Sequence, residues 1–219
     1  MNQQPLYDRY KEIRGFAWEF LAAHEINSLP VDWRSICSRM NVEAVGYSQG
    51  VELFSVYDFG EVALANDAFS VYDEKWRIFY DDWHTTDYLP YFILHELGHI
   101  LLRHPFKEKV IEAESEDGEI VEKTIFHSDF NRLEHTNLAY EQEARDLAVR
   151  VLSPACVLHA LKVYDTEGIS KLCGLPVIIS EERAKRMERL VVKNRFGTLD
   201  EERRVMAKFQ AFIANKRLV

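Results

Sequence analysis

Several large classes of protein are excluded by what this chain lacks. No apolar run approaches the roughly 20 residues that cross a bilayer, so no membrane partner is expected. The opening MNQQPLYDRYKEIR holds no apolar signal core, and the expected setting is cytoplasmic. Cysteine is scarce: Cys37, Cys156 and Cys173 are odd in number, far apart and never in a C-x-x-C pair. That pattern argues for reduced, buried thiols rather than a disulfide framework. Positive charge is outweighed, with a net charge of −9 and an isoelectric point near 5.4. Sequence-independent nucleic-acid binding needs a basic field to displace counterions, so direct nucleic-acid binding is not expected. Internal repeats and low-complexity tracts are also missing.

What is present is enough apolar material for a core, 47% of 219 residues, sufficient for one ordinary domain and an appendage. Ile13, Phe16, Ala17, Phe20 and Leu21 share a helical stripe over residues 6–24, and a short helix is expected from Asp32. VEAVGY leans towards strand, and EVALANDAFSVYDEKWRIFYDD reads as a hairpin turning at Asp73 and Glu74. In TTDYLPYFILHELGHILLRHP, Asp87 is the expected N-cap, Pro90 fits the first turn, and Pro105 stops the helix. The charged stretch from Phe106 to His135, with its Gly118 turn, reads as an exposed loop or hairpin. Residues 136–152 resume a helical period that Pro154 ends, and 161–219 hold two or three further helices.

Three ionisable groups, His95, Glu96 and His99, interrupt the apolar period of HELGH. On a helix the two histidines lie about 40° apart around the axis and one turn apart along it, so both imidazoles can converge on one ion. Glu96 is rotated by about 100° from His95 and suits a general base rather than a third ligand. This is the H-E-x-x-H pattern of zinc hydrolases, in which the metal activates a water and the glutamate moves its proton. Buried ionisable groups on one apolar helix are costly unless they hold something, which favours Zn2+ over coincidence. Gly98, between the ligands, leaves a notch for a second backbone.

An open zinc site needs one more protein ligand. The metzincin continuation fails, because Leu102 and Pro105 stand where a glycine and a histidine belong. His104 falls about 140° from His99 on the wheel and is expected at the surface or helix end. In AYEQEARDLAVRVLSP, Glu141 shares the face of Leu138, Ala144, Ala148 and Leu152, whereas Glu143 points at best obliquely towards Tyr140 and Leu147. The periodicity therefore favours Glu141 as the third ligand, with His95, His99 and Glu141 holding the metal and Glu96 catalytic. Tyr140, His127 and His135 are equal candidates for the donor that stabilises a developing oxyanion.

FILHELGHILLRH and EQEARDLAVRVLSP, in this order, resemble the paired motifs of the ImmA/IrrE family of zinc metallo-endopeptidases, over about residues 30–155. Leu94, Arg145, Leu147 and Ser153 depart from the usual residues of that pair. The resemblance implies a gluzincin-like activity in the cytoplasm, often on a prophage or mobile element, cleaving a helix-turn-helix transcriptional repressor. The expected fold class is α+β: a zincin-like metallopeptidase domain over residues 1–160, with a small antiparallel sheet, and a helical C-terminal extension over 161–219. The alternative is a zinc-containing regulator that sequesters the repressor without cutting it. Residues 166–190 could also be read as a helix-turn-helix presenting Arg183, Lys185, Arg186 and Arg189 to phosphates, but interleaved Glu181, Glu182 and Glu188 favour a packing or docking helix pair.

Overall fold

A computed structural model describes residues 4–57, 59–83, 88–114, 117–128, 135–194, 196–197 and 199–217. They belong to two compact units, residues 33–144 and residues 1–32 with 145–219. The expected N-cap Asp87 lies outside the described residues. No described helix is long and apolar enough to cross a membrane.

The first unit is α+β. Its elements are α2 (Trp33–Arg39), β1 (Val42–Gly46), α3 (Val51–Tyr57), α4 (Gly60–Ala65), β2 (Ala68–Asp73), β3 (Lys75–Tyr80), α5 (Leu89–Leu101), β4 (Lys107–Glu114), β5 (Ile120–His127) and the start of α6 (His135–Leu152). The strands form one sheet in the order β1-β3-β2-β5-β4. Hairpins join β2 to β3 around Glu74 and β4 to β5 around Gly118, which take φ of +59° and +79°. The charged stretch after His104 is thus largely the second hairpin.

The sheet is mixed rather than wholly antiparallel, because β1 pairs parallel to β3. Between those strands the chain runs through α3, α4 and β2, a connection long enough to return it in the same direction. Residues 61–65, expected in the first hairpin, belong instead to α4: EVALA is rich in good helix formers, and strand pairing begins only at Ala68.

Strand alternation assigns the two faces of the sheet. Phe69 and Val71 of β2 join Phe79, Ile111 and Ile125 in an aromatic-rich core with Tyr47, Tyr57 and Phe59. Ser70, between them, points to the opposite face and meets α5. A serine on a strand that otherwise buries apolar residues is the first sign that α5 carries something polar.

The second unit is helical: α1 (Gln4–Ala23), the end of α6, α7 (Ala155–Leu161), α8 (Thr166–Cys173), α9 (Val177–Val192) and α10 (Asp200–Arg217). Leu21, Val157, Leu158, Ile169, Met187, Val205 and Phe209 are buried in it. Asp165 caps α8 by accepting from the Gly168 N–H at 2.8 Å, and Gly174 ends it in the left-handed region at φ +65°. Cys37, Cys156 and Cys173 are buried and unbridged, as expected. Of the α9 cations, Lys185 and Arg189 are exposed, whereas Arg183 is buried and donates to the Ser153 carbonyl, and the half-buried Arg186 donates to the Tyr10 hydroxyl at 2.6 Å.

Candidate metal centre

Helix α5 begins with Pro90 in its first turn, where the missing N–H costs nothing, and buries Ile93, Leu94 and Leu97. The face that presents His95 and His99 meets α6 at one point of close approach. A Cβ added at Gly98 would lie 3.0 Å from both Cα and O of Ala144. The notch expected at Gly98 is therefore filled by the α6 backbone. Glu141, one turn before Ala144, is carried to the two imidazoles.

Three ligand atoms converge there. His99 Nε2 lies 3.2 Å from His95 Nε2, His95 Nε2 lies 3.1 Å from Glu141 Oε2, and His99 Nε2 lies 3.4 Å from Glu141 Oε1. Atoms bonded at 2.0–2.1 Å to one tetrahedral ion sit about 3.3 Å from each other, so these edges fit a metal ion at the centre. The group His95, His99 and Glu141 could hold such an ion. Periodicity had favoured Glu141 over Glu143, and the structure brings Glu141 to the histidines.

The orientation of His99 is set by a residue that lies at the helix end, as expected, but buried instead of at the surface. His104, expected at the surface or helix end, is buried, and its Nδ1 lies 2.9 Å from His99 Nδ1. Its Nε2 lies 3.2 Å from Glu143 Oε2, and its ring packs against Tyr140 with centroids 4.8 Å apart. A wheel applies only while the helix continues. After Leu102, Arg103 adopts φ +55°, the Arg103 N–H donates to Ile100 O, and the His104 N–H donates to His99 O. This is a Schellman closure, which folds His104 back onto the helix it has just left.

The chain Glu143–His104–His99 then fixes a tautomer. A carboxylate only accepts, so His104 Nε2 carries the hydrogen. With both imidazoles neutral, His104 Nδ1 is bare and accepts from His99 Nδ1–H. His99 Nε2 is left as a lone pair aimed at the centre. Burial, reinforced by the neighbouring His95 and His104, pushes the His99 pKa down to about 2, which keeps that ring neutral.

Glu96 turns towards the sheet. Ser70 and Ser128 hydroxyls donate to its Oε2 at 2.5 and 2.7 Å, and the Ser70 N–H donates to Ser128 Oγ at 2.7 Å. Burial holds the carboxyl above the usual range against the pull of His95 and the two serines. A cavity of about 150 Å³ reaches His95, Glu96, Glu141, Tyr91, Phe92 and Ser128. Neither Tyr140 nor His127 lines it: Tyr140 stacks on His104, and His127 packs against Phe59 with centroids 5.0 Å apart. The His135 side chain lies outside the described residues. The cavity therefore collects two of the three ligand residues, His95 and Glu141, with the buried Glu96 carboxylate and the side chains of Tyr91 and Ser128.

Compared with protein-family models, curated proteins and solved structures, the chain matches none.

Proposed function

We propose that this chain is a zinc-dependent endopeptidase of the ImmA/IrrE kind, acting in the cytoplasm on a regulatory protein, with a helix-turn-helix repressor as the substrate that the motif resemblance suggests. The observation that carries this reading is the convergence of His95, His99 and Glu141 at tetrahedral spacing beside a buried Glu96 and an open cavity. Two imidazoles and one carboxylate form the donor set of hydrolytic zinc sites, which keep one position free. A zinc ion held there supplies Lewis acidity, lowering the pKa of a water and polarising a peptide carbonyl.

The chain's own residues account for the proton movements. The two serines engage Oε2 of Glu96, which leaves Oε1 to take the proton of the attacking water and then return it to the leaving amine. Tyr91 is the other hydroxyl-bearing side chain that lines the cavity. It donates to the carbonyl oxygen as charge develops, and Tyr91→Phe lowers turnover by about 10²-fold. His104 and Glu143 hold His99 in its ligating tautomer.

A second reading, a zinc-containing regulator that sequesters its partner without cutting it, is favoured by the grip of two serines on Glu96. One variant separates the two. Glu96→Gln keeps volume and removes basicity, so metal content and partner binding stay at parent levels while cleavage falls by about 10² to 10⁴. If Glu96→Gln relieves repression in cells as fully as the parent chain does, proton transfer is not what the function uses and sequestration replaces proteolysis.

A further inference from the structure

The helical unit contains a second constellation, unconnected with the metal centre by its chemistry. A cavity of about 370 Å³ is lined by six cations, Arg145, Arg150, Arg183, Lys185, Arg186 and Arg189, against the two carboxylates of Asp146 and Glu182. Glu182 is already paired with Arg145. Arg150, Arg183 and Arg186 also border an adjoining lobe of about 320 Å³, where Arg14 joins them and Trp18, Leu190 and Leu199 form an apolar wall. Glu202 is the carboxylate of that lobe.

In that lobe four arginines, Arg14, Arg150, Arg183 and Arg186, face a single carboxylate, the buried Glu202. Among the described residues no carboxylate lies within ion-pair range of Arg14, Arg150, Arg183 or Arg186. The guanidinium groups of Arg150 and Arg186 both lie over the Tyr10 ring, 4.4 and 5.5 Å from its centroid. Arg183 is 94% buried by its 6% exposure, and burial together with the charges of Arg150 and Arg186 lowers its pKa to about 10. A buried guanidinium beside two others is costly unless an anion compensates it.

The hydrogen-bond deficit has a sign as well. The Nε atoms of Arg14, Arg150 and Arg183 are buried and have no acceptor. All three are N–H donors on guanidinium groups that line the second lobe, so an anion with several acceptor oxygens suits that lobe. A phosphate group is such an anion, and pairs with guanidinium forks more strongly than a neutral acceptor. Each lobe is also of the size that takes a small molecule rather than a lone anion.

We propose that the helical unit is a binding site for a small organic phosphate, its phosphate oxygens accepting from Arg14, Arg150, Arg183 and Arg186 and its apolar body resting on Trp18, Leu190 and Leu199. The site goes beyond the peptidase reading and stands without it.

The test uses the full chain with ATP, pyrophosphate and adenosine as probes, followed by calorimetry and Trp18 fluorescence. ATP binds saturably and raises the melting temperature, pyrophosphate competes with it, and adenosine does not bind. Arg150→Gln and Arg186→Gln each weaken ATP by about ten- to a hundredfold, the loss of one charge-assisted contact. Both residues are half-buried, and circular dichroism establishes that the variants fold. Should either fail to fold, displacement of ATP by pyrophosphate on the parent chain carries the same information. The proposal is overturned if neither ATP nor pyrophosphate binds at millimolar concentration, if adenosine binds as well as ATP, if folded variants keep parent affinity, or if an oligonucleotide binds and ATP does not displace it.

Discussion

Gly98→Ala separates the metal centre from general stability. The added Cβ would stand 3.0 Å from Ala144 Cα and O and 3.2 Å from Ala144 Cβ. Carbon contacts settle at about 3.5–4.0 Å, and the atoms in the way are mostly backbone, so α5 and α6 must part by roughly half an ångström. The ligand triangle has edges of 3.1, 3.2 and 3.4 Å, and Glu141 rides on the turn of α6 that moves. Ligand bonds tolerate only about 0.2 Å of error, so metal affinity falls by about 10- to 100-fold, as it does when support for a ligand is removed. Overpacking costs about 1–3 kcal/mol, while alanine gains about 1 kcal/mol over glycine in helix propensity, leaving a net loss of about 0–2 kcal/mol. The control is Gly15→Ala in α1, where a Cβ meets nothing within 4 Å, and stability rises by about 0.5–1 kcal/mol. Thermal melts of the metal-free chains, with zinc titrated against a chromophoric chelator, measure both quantities. A folded Gly98→Ala chain that binds zinc within about twofold of the parent refutes the claim that this helix contact sets the site.

Glu141→Ala loses most of its metal on purification, whereas Glu143→Ala and His104→Phe bind it about 10- to 100-fold more weakly with Glu141 intact; equal metal content in all three, by elemental analysis, contradicts the assignment. Arg103→Gly relieves the φ of +55° at the end of α5 and raises stability by about 0.5–1 kcal/mol in urea titration, without changing metal content. Asp73 governs an acid transition. Burial pushes its carboxyl up, but the Lys123 and Tyr57 hydrogen bonds and the charges of Lys123 and Arg77 outweigh burial and hold it below its ordinary value. A carboxyl depressed on folding contributes fully above its unfolded pKa, near 3.9, and the contribution disappears as pH falls through the folded value. Asp73→Asn therefore costs about 1–3 kcal/mol at pH 7, and the gap from the parent closes below about pH 4; a gap independent of pH rules this out.

How far the sequence alone reaches depends on how local the determining physics is. The α5 helix, with Pro90 in its first turn and its two imidazoles one turn apart, follows from residues within a short span. So do Gly118 and Glu74 as hairpin turns, because backbone conformation is decided by neighbours. Helical period put Glu141 on one face with Ala144, Ala148 and Leu152, which are buried, although Leu138 of the same face is exposed. Period does not report what an inward face meets. That Ser70 and Ser128 hold Glu96, from a strand and from the residue after another strand, depends on sheet order. The mixed sheet depends on where a long connection returns. His104 was placed at the surface or helix end by angles that lose meaning once the helix stops, and only the closure at Arg103 turns it onto His99. The gathered arginines come from α1, α6 and α9, positions from 14 to 186, where charge reads as solvated surface one helix at a time. Burial of those charges arises only from packing distant segments together, which is why the tertiary structure alone decides it.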